Sequence, residues 1–449
     1  MRPDNKKILR TLISLAVPTI LQEIMGTLLM YVDTAMVGHL GEKATAAVST
    51  TTTVTWLVYS LPYSFAIGFM AMMSRAYGAK DKKRMHELAG LAVWVVLAVG
   101  LVMTVVCVGL SPVIPVWMQA SPEIRSRASC YFAIICTAAV FRVASSIFGT
   151  CIQAVKDTKT PMIINLSANA ANVILNYLLI YVLSLGVTGA AIATALSYAG
   201  GGIAMAVVFG RRAEFGRPLP PKQSSAYPAL LKETAQIALP ALGTHVISCA
   251  GYVVFAAMVS GMGTTVFAAH SIAVSAEELF YLPGYGLRTA TSALVGISIG
   301  EKNLYKLRMV KRQSVFITIA MMCVTGTMLF LVAYPMMRLF TSSDDVARLG
   351  AAMLRIVAFS EPFFGLMIVW EGICYGFGLT RRVMVIESLS MWGVRILLTF
   401  FVVEIWGLGL REVWYCMVAD NIFKATALTV VNLVRPPEKH KVYAVQENA

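Results

Sequence analysis

Charged residues are scarce in this chain. Asp, Glu, Lys and Arg make up 13% of its 449 residues, whereas hydrophobic residues make up 58%. Soluble domains usually contain roughly 25% charged residues. The mean hydropathy is +0.72, and apolar segments recur from one end to the other, too many for one soluble core. This composition excludes an ordinary soluble protein and indicates an integral membrane protein.

Acidic residues are fewer than basic ones, with 23 Asp and Glu against 37 Lys and Arg and a net charge of +14. Such a surplus can mark a nucleic-acid-binding protein. Here the basic residues lie in short gaps between apolar runs, which is typical of a topology signal in a membrane protein. We therefore expect no nucleic-acid partner.

Several motifs are missing, and each absence removes a class of function. The eight cysteines form no CxxC pair and no Cys/His cluster, so neither a disulfide framework nor a zinc site is predicted. No GxxxxGK[ST] loop occurs, which argues against an ATP-driven pump, and no HExxH motif or nucleophile–base pair indicates an enzyme. We expect no metal and no cofactor. The first apolar run is too long for a cleavable signal peptide.

Windows of about twenty residues predict twelve transmembrane helices. Their approximate limits are 11–38, 46–75, 88–111, 128–153, 161–184, 188–209, 235–260, 266–298, 314–338, 350–378, 383–405 and 411–434. Basic residues cluster before the first span, after every even-numbered span and in the tail. Because positive loops remain in the cytoplasm, both termini are expected there.

The sequence repeats with a shift of 222 residues, since Pro18 in LAVPTIL matches Pro240 in IALPALG, and Gly41 matches Gly263. A Pro-rich polar connection containing RPLPPKQSS separates the two copies. An even number of spans in each copy makes the repeats parallel, and such halves usually enclose a site near the membrane midplane. The predicted domains are an N-terminal six-helix bundle at 1–209, a cytoplasmic linker at 210–234 and a C-terminal six-helix bundle with a short tail at 235–449.

Two carboxylates, Glu23 and Asp33, lie within the first span. A carboxylate at the bilayer centre costs roughly 2.5–3.5 kcal/mol on insertion scales, so it normally faces a cavity or a partner. Gln22, Gly26 and Met30 share the helical face of Asp33. We interpret Asp33 as a proton- or cation-binding group of a transporter and the other three as cavity lining. The alternative is a structural pair between Asp33 and a neighbouring helix.

Four asparagines form a stripe on the fifth span. Asn165, Asn169, Asn172 and Asn176 project from one helical face. Buried amides need partners, so this face must look into protein or water. We predict that it lines the substrate cavity, for which Tyr31 is a further candidate. The alternative is hydrogen bonding between helices. The second half lacks this stripe, so we expect coupling in the first half.

The second half has acidic residues of its own. Glu277, Glu278 and Glu361 are candidates for a second proton or cation site. The alternative is that they neutralise the arginines of that half, which are Arg288, Arg355 and Arg395. In the fourth span, Arg142 is expected to pair with a carboxylate or with backbone carbonyls.

These features resemble those of the multidrug and toxic compound extrusion (MATE) family. The segments that carry the resemblance are YVDTAMVGHLG, the SLP of the second span, SRAYGAKD, QAVKDTKTP, NVILNYLLI and GVTGAAIATALSY. The resemblance covers all twelve spans and the repeat. It implies an all-α fold of two six-helix bundles, an N-lobe and a C-lobe, around a V-shaped central cleft. It also implies alternating-access export of organic, often cationic compounds in exchange for H⁺ or Na⁺.

The site of the bacterial DinF-like branch of this family can be carried over by position. The resemblance implies that Asp33, Asn172, Asn176 and Thr194 form the cation or proton coupling site, and that Pro18 bends the first helix. Asn176 stands where an Asp is often found, and the missing carboxylate favours H⁺ over Na⁺ at Asp33. The NorM-like branch has an acidic residue in the seventh span, where this chain has none.

A lipid-linked precursor flippase of the same broader superfamily is the alternative transport function. It would need a strongly cationic cleft for pyrophosphate, whereas the intramembrane arginines here are few and matched by acids. We expect a monomer in the bacterial inner (plasma) membrane that takes small organic, cationic substrates.

Overall fold

The structure, a computed structural model, describes residues 3–216 and 226–439, and the regular structure in these residues is helical. The α-helices are α1 (Pro3–Gly38), α2 (Glu42–Gly78), α3 (Lys82–Leu110), α4 (Ile114–Trp117), α5 (Pro122–Thr137), α6 (Ala139–Ala154), α7 (Lys159–Asn176), α8 (Gly186–Arg211), α9 (Tyr227–Ser260), α10 (Thr264–Gly300), α11 (Leu304–Phe340), α12 (Asp344–Ala358), α13 (Glu361–Gly376), α14 (Thr380–Ser390), α15 (Leu397–Phe400) and α16 (Leu410–Val434). The π-helical stretches are Tyr177–Val182, Met391–Ile396 and Phe401–Ile405, and a 3-10 turn covers Pro437–Lys439. The predicted all-α class is confirmed.

Within the described ranges, nine helices are long and apolar enough to cross a membrane. Two helix pairs, α5 with α6 and α12 with α13, are bent by 47° and 57° at a short break, and counting each pair as one span gives eleven. The long helix α10 lies outside this set, because two adjacent glutamates and an arginine lower its hydropathy. The chain is a multi-pass membrane protein, and the count of twelve stays a prediction.

The helix boundaries repeat with the shift found in the sequence. α2 and α10 begin at 42 and 264, α3 and α11 at 82 and 304, and α6 and α13 at 139 and 361. The residues before α2 and α10 are Gly41, with φ +98°, and Gly263, with φ +112°. Because side chains with a Cβ rarely adopt such angles, the turn needs glycine in both copies. The structure therefore confirms the internal repeat.

The described residues divide into two compact units. The first unit is Leu21–Leu239, and the second consists of the described parts of Met1–Ile20 and Pro240–Ala449. Both α1 and α9 therefore change unit part-way along their length. The expected linker at 210–234 falls partly on 217–225, which lie outside the described residues, so the domain limits predicted from composition stay a prediction.

Each unit has its own hydrophobic core. In the second unit Trp414 is fully buried in a cluster with Ala273 and Leu354, drawn from α10, α12 and α16. In the first unit a smaller cluster joins Val37 of α1 to side chains of α5 and α8, including Ile135. Val37 lies one helical turn after Asp33, so this cluster fixes the part of α1 that carries the carboxylate.

Consecutive glycines let α8 approach its neighbours. A Cβ on Gly202 would collide with the backbone carbonyl of Phe141 in α6. A Cβ on Gly201 would lie 3.0 Å from Cβ of Ala168 in α7, whereas Gly200 has open space around it. The backbones of α6 and α8 are therefore in the close contact by which small residues hold helices together in a bilayer.

Gly202→Ala should destabilise the protein, because the new methyl group overlaps the carbonyl of Phe141 and forces α6 and α8 apart. Overpacking of this kind costs about 1–3 kcal/mol. Gly200→Ala is the matched control, since its methyl group meets no neighbour. The thermal melting temperature of each purified variant in detergent measures the effect. A loss for Gly202→Ala no larger than for Gly200→Ala would contradict this packing.

A buried ion network connects the last helices of the second unit. Asp420 in α16 is fully buried, and its carboxylate lies 2.9 Å from Arg395 Nε and 3.0 Å from Lys424 Nζ. Ser390 Oγ donates to its other oxygen at 2.5 Å. Since an uncompensated buried charge is costly, these contacts explain how the second unit carries cations inside the membrane.

Candidate functional site

The four predicted coupling residues meet in the first unit. Asn176 Nδ2 in α7 donates to Asp33 Oδ1 in α1 and, at 3.2 Å, to Asn172 Oδ1. Asn172 Nδ2 donates to Thr194 Oγ1 in α8 at 3.4 Å. The side chains of Asp33, Asn176, Asn172 and Thr194 thus form one hydrogen-bonded chain across three helices, which we call the Asp33 network.

The centre of the Asp33 network is shielded from solvent. Asn176 is fully buried, and Asp33 is partly buried. Asn176 Oδ1 is buried without a hydrogen-bond partner in the described part of the chain. A buried acceptor without a partner costs free energy. The network therefore holds an unused acceptor on the side chain that binds the Asp33 carboxylate.

The asparagine face of α7 continues towards the other end of the helix. Ser145 Oγ in α6 donates to Asn165 Oδ1 at 3.0 Å, and a Cβ on Gly26 of α1 would lie 3.8 Å from Asn169 Nδ2. Ile174, on another face of α7, is 61% exposed. The asparagine face thus looks into the first unit. At Asn165 it forms a hydrogen bond between helices, which was the alternative to lining the substrate cavity.

The remaining α1 candidates differ in their surroundings. Gln22 Oε1 is buried without a hydrogen-bond partner among the described residues. Tyr31 is partly buried, whereas Met30 is 51% exposed. Among the α1 candidates, Gln22 and Gly26 are therefore turned towards protein, and Met30 is the most open.

Pro18 lies in the part of α1 that belongs to the second unit. The next residue, Thr19, donates through Oγ1 to the backbone carbonyl of Gly286 in α10 at 2.8 Å. A Cβ on Gly286 would lie 2.5 Å from the backbone nitrogen of Ile20. The division between units falls directly after Ile20. Pro18 therefore lies just before the close contact that Thr19 and Ile20 make with Gly286.

Two of the three acidic candidates in the second unit are deeply buried. Glu277 in α10 is 7% exposed and Glu361 at the start of α13 is 1% exposed, whereas Glu278 is only partly buried. Glu361 Oε2 has no hydrogen-bond partner within the described ranges. Glu277 and Glu361 interact electrostatically with each other. Glu277 and Glu361 are thus the two buried members of the three, and Glu278 is the more open one.

Of the three arginines expected as partners of these acids, Arg288 and Arg395 have salt bridges to other carboxylates, and Arg355 is in none of the salt bridges of the described residues. Arg288 Nη1 lies 2.7 Å from Glu371 Oε2, and Arg395 binds Asp420. Glu371 and Asp420 therefore neutralise Arg288 and Arg395. The alternative had assigned this role to Glu277, Glu278 and Glu361.

The partners of Arg142 differ from those expected from the sequence. Its guanidinium donates to the hydroxyl of Tyr198 and stacks over the ring of Tyr59, in place of the expected carboxylate or backbone partner. The sequence shows only that Tyr198 follows Thr194 by one turn of α8, which places the two on one helical face and does not give the contact of Tyr198 with Arg142.

The sequence model of the MatE family matches the chain twice, at residues 18–178 and 240–401. The two matches start at residues separated by the 222-residue shift of the repeat. The chain belongs to the MATE family of multidrug transporters. It is therefore a transporter of small organic molecules and not an enzyme.

Two curated bacterial proteins illustrate the relationship. A probable multidrug resistance protein NorM of Thermotoga maritima is 29% identical over 98% of this chain and 96% of its own length. A second protein of that name, from Shewanella oneidensis, is 23% identical over 97% and 96% of the two chains. Both matches run through the whole repeat. Assignment to the DinF-like branch rests on the residues of the Asp33 network and stays a prediction.

A solved structure supports the fold. A MOP superfamily transporter from Pyrococcus furiosus superposes with a TM-score of 0.90 at 21% identity, covering 96% of this chain and 97% of its own. At this identity the likeness concerns the arrangement of helices, and the roles of individual side chains are argued from the contacts above.

Asn176→Ala should destabilise the first unit, because it leaves Asp33 Oδ1 and Asn172 Oδ1 without their shared donor. Loss of one partner of a buried polar group costs about 1–3 kcal/mol. Asn169→Ala is the control on the same face. Thermal melting of the two purified variants is the measurement, and equal melting temperatures would show that the Asp33 network does not hold α1 to α7.

Proposed function

We propose that this protein exports organic, often cationic compounds in exchange for protons, with Asp33 as the coupling group. The observation that carries the proposal is the Asp33 network, in which one carboxylate inside a membrane-spanning helix is hydrogen-bonded to neutral polar side chains. A carboxylate in this setting is functional by default, because it is costly to keep there otherwise.

The amide of Asn176 suits both protonation states of Asp33. When Asp33 is ionised, it accepts the N–H of Asn176. When Asp33 is protonated, its O–H becomes a donor, and the unused Oδ1 of Asn176 is an acceptor on the same side chain. Asp33 can therefore change charge and keep its partner once the amide of Asn176 turns about its Cβ–Cγ bond.

The composition of the network favours H⁺ over Na⁺ as the coupling ion. A dry Na⁺ site needs anionic oxygen to offset the cost of removing water from the ion. Asp33 contributes the single carboxylate of the network, and Asn172, Asn176 and Thr194 are neutral. A proton needs only the carboxylate itself.

Export follows from competition for one negative charge. Ionised Asp33 attracts a cationic group of the substrate, and protonation removes that attraction. Substrate and proton therefore weaken each other's binding by the same factor, as linkage requires. A proton that enters from outside would release the substrate there.

Alternating access also requires a segment that bends, and we assign this role to Pro18. Proline lacks an N–H and interrupts the helical hydrogen-bond ladder. Pro18 precedes the division between units in α1, and its repeat partner Pro240 begins the second-unit part of α9. Bending there would change the direction of the Asp33 segment of α1 relative to the residues that precede Pro18.

Further parts of the proposal concern topology and a second acidic site. Basic loops favour both termini in the cytoplasm, and we propose a monomer in the inner membrane.

Glu277 and Glu361 are the candidates for a second protonated position, because Glu361 Oε2 is buried without a hydrogen-bond partner in the described residues.

Asp33→Asn should abolish export driven by a pH gradient, because the amide cannot exchange a proton. The assay is uptake of ethidium into inverted proteoliposomes in sodium-free buffer. Glu23→Gln is the matched control, since Glu23 lies in the same span on a different face, and it should transport like the wild type. Full transport by Asp33→Asn would exclude the role, and wild-type transport that requires Na⁺ would exclude the proton.

A further inference from the structure

Arg142 is a cation inside the first unit. It lies in α6, twelve residues before the end of that helix at Ala154, which is about 18 Å at 1.5 Å per residue. The hydrocarbon core of a bilayer is roughly 30 Å thick. An arginine at this depth is costly unless its charge is compensated or used.

Two tyrosines surround the guanidinium of Arg142. Its Cζ lies 4.0 Å from the ring centroid of Tyr59 in α2 and 4.5 Å from that of Tyr198 in α8. Its Nη1 donates to the hydroxyl of Tyr198. The two rings are 6.5 Å apart and nearly perpendicular, at 74°. We call Arg142, Tyr59 and Tyr198 the Arg142 cluster.

The Arg142 cluster contains no anion. Among the salt bridges of residues 3–216 and 226–439, none includes Arg142. This differs from Arg288 and Arg395 in the second unit, which both bind carboxylates. Cation–π contacts stabilise a guanidinium by only about 0.5–2 kcal/mol, so its charge is left largely uncompensated.

The Arg142 cluster also has unused hydrogen-bond donors. A guanidinium carries five N–H groups in a planar fork that matches a carboxylate. Tyr59 is 8% exposed, and its hydroxyl is buried without a hydrogen-bond partner in the described part of the chain. A carboxylate could accept from both Arg142 and Tyr59 and would neutralise the charge.

The Arg142 cluster adjoins the Asp33 network. Tyr198 follows Thr194 by four residues on α8, so the two side chains share a helical face. On α6, Ser145 follows Arg142 by three residues and donates to Asn165 at the other end of the asparagine face. One polar lining of the first unit therefore carries a fixed positive charge at Arg142 and an ionisable negative charge at Asp33.

We propose that the Arg142 cluster binds a carboxylate of the transported compound, so that the preferred substrates are zwitterions with their cationic group towards Asp33. This inference rests on the proposed export function. A compound with a cationic group alone meets the positive charge of Arg142 without a counter-charge, so the same arginine selects against it.

The test compares two dyes of one skeleton. Rhodamine 110 carries a free carboxylate, and rhodamine 123 is its methyl ester. Fluorescence polarisation measures their binding to the purified full-length protein in detergent. The wild type should bind rhodamine 110 at least about tenfold more tightly than rhodamine 123, which is the scale of one charge-assisted hydrogen bond.

Arg142→Gln should remove this preference by weakening the binding of rhodamine 110, without weakening that of rhodamine 123. Tyr59→Phe keeps the ring beside the guanidinium and removes only the hydroxyl, so the preference should fall a few-fold. Arg355→Gln, which changes an arginine of the second unit, is the control and should leave both affinities unchanged.

Equal weakening of both dyes by Arg142→Gln would mean that the arginine only packs the helices, and would overturn the inference. An unchanged preference in Arg142→Gln would overturn it as well. If Arg142→Gln does not fold, Tyr59→Phe decides, and an unchanged preference there overturns it. If all variants still export rhodamine 123, the proposed function holds whichever of these binding results is obtained. Failure of the wild type to bind or export either dye would overturn the proposed function itself.

Discussion

The hydrogen bond from Asn176 to Asp33 holds the candidate site of the first unit together. Lipid offers no hydrogen bonds, so a polar side chain inside a bilayer is favourable only where it faces protein or a water-filled cavity. Asn176 joins the carboxylate of α1 to α7 and, through Asn172, to α8. This bond thus connects the one acidic group of the network to α7 and α8. These are helices that would have to move during transport.

Close packing explains how this network is held in position. Glycine at 202 brings α8 against the backbone of α6, and the cluster around Val37 holds the end of α1. Arg142 carries the charge opposite to that of Asp33. Its guanidinium stays protonated, so a change of pH does not remove this charge. In the proposals made above, Arg142 supplies a fixed cation and Asp33 a titratable anion on one lining of the first unit.

Much of this arrangement could be predicted from the sequence because membrane spans obey strong rules. Pro18 and Pro240, with Gly41 and Gly263, show the repeat in the sequence itself. The spacing of the asparagines on α7 identified the face that carries the Asp33 network. The partners of Arg142 were not predicted, because they lie on α2 and α8 and sequence spacing does not give contacts between distant helices. For the same reason, the pairing of Arg288 with Glu371 and of Arg395 with Asp420 was missed.

Proton release on substrate binding shows whether Asp33 couples the substrate to the proton. The purified protein in weakly buffered detergent is mixed with excess rhodamine 123, and a pH indicator follows the solution. If substrate and proton compete for Asp33, the wild type releases up to one proton for each dye bound, and its affinity rises with pH, whereas Asp33→Asn releases none. Dye binding without proton release in the wild type, or equal release by Asp33→Asn, would contradict the account.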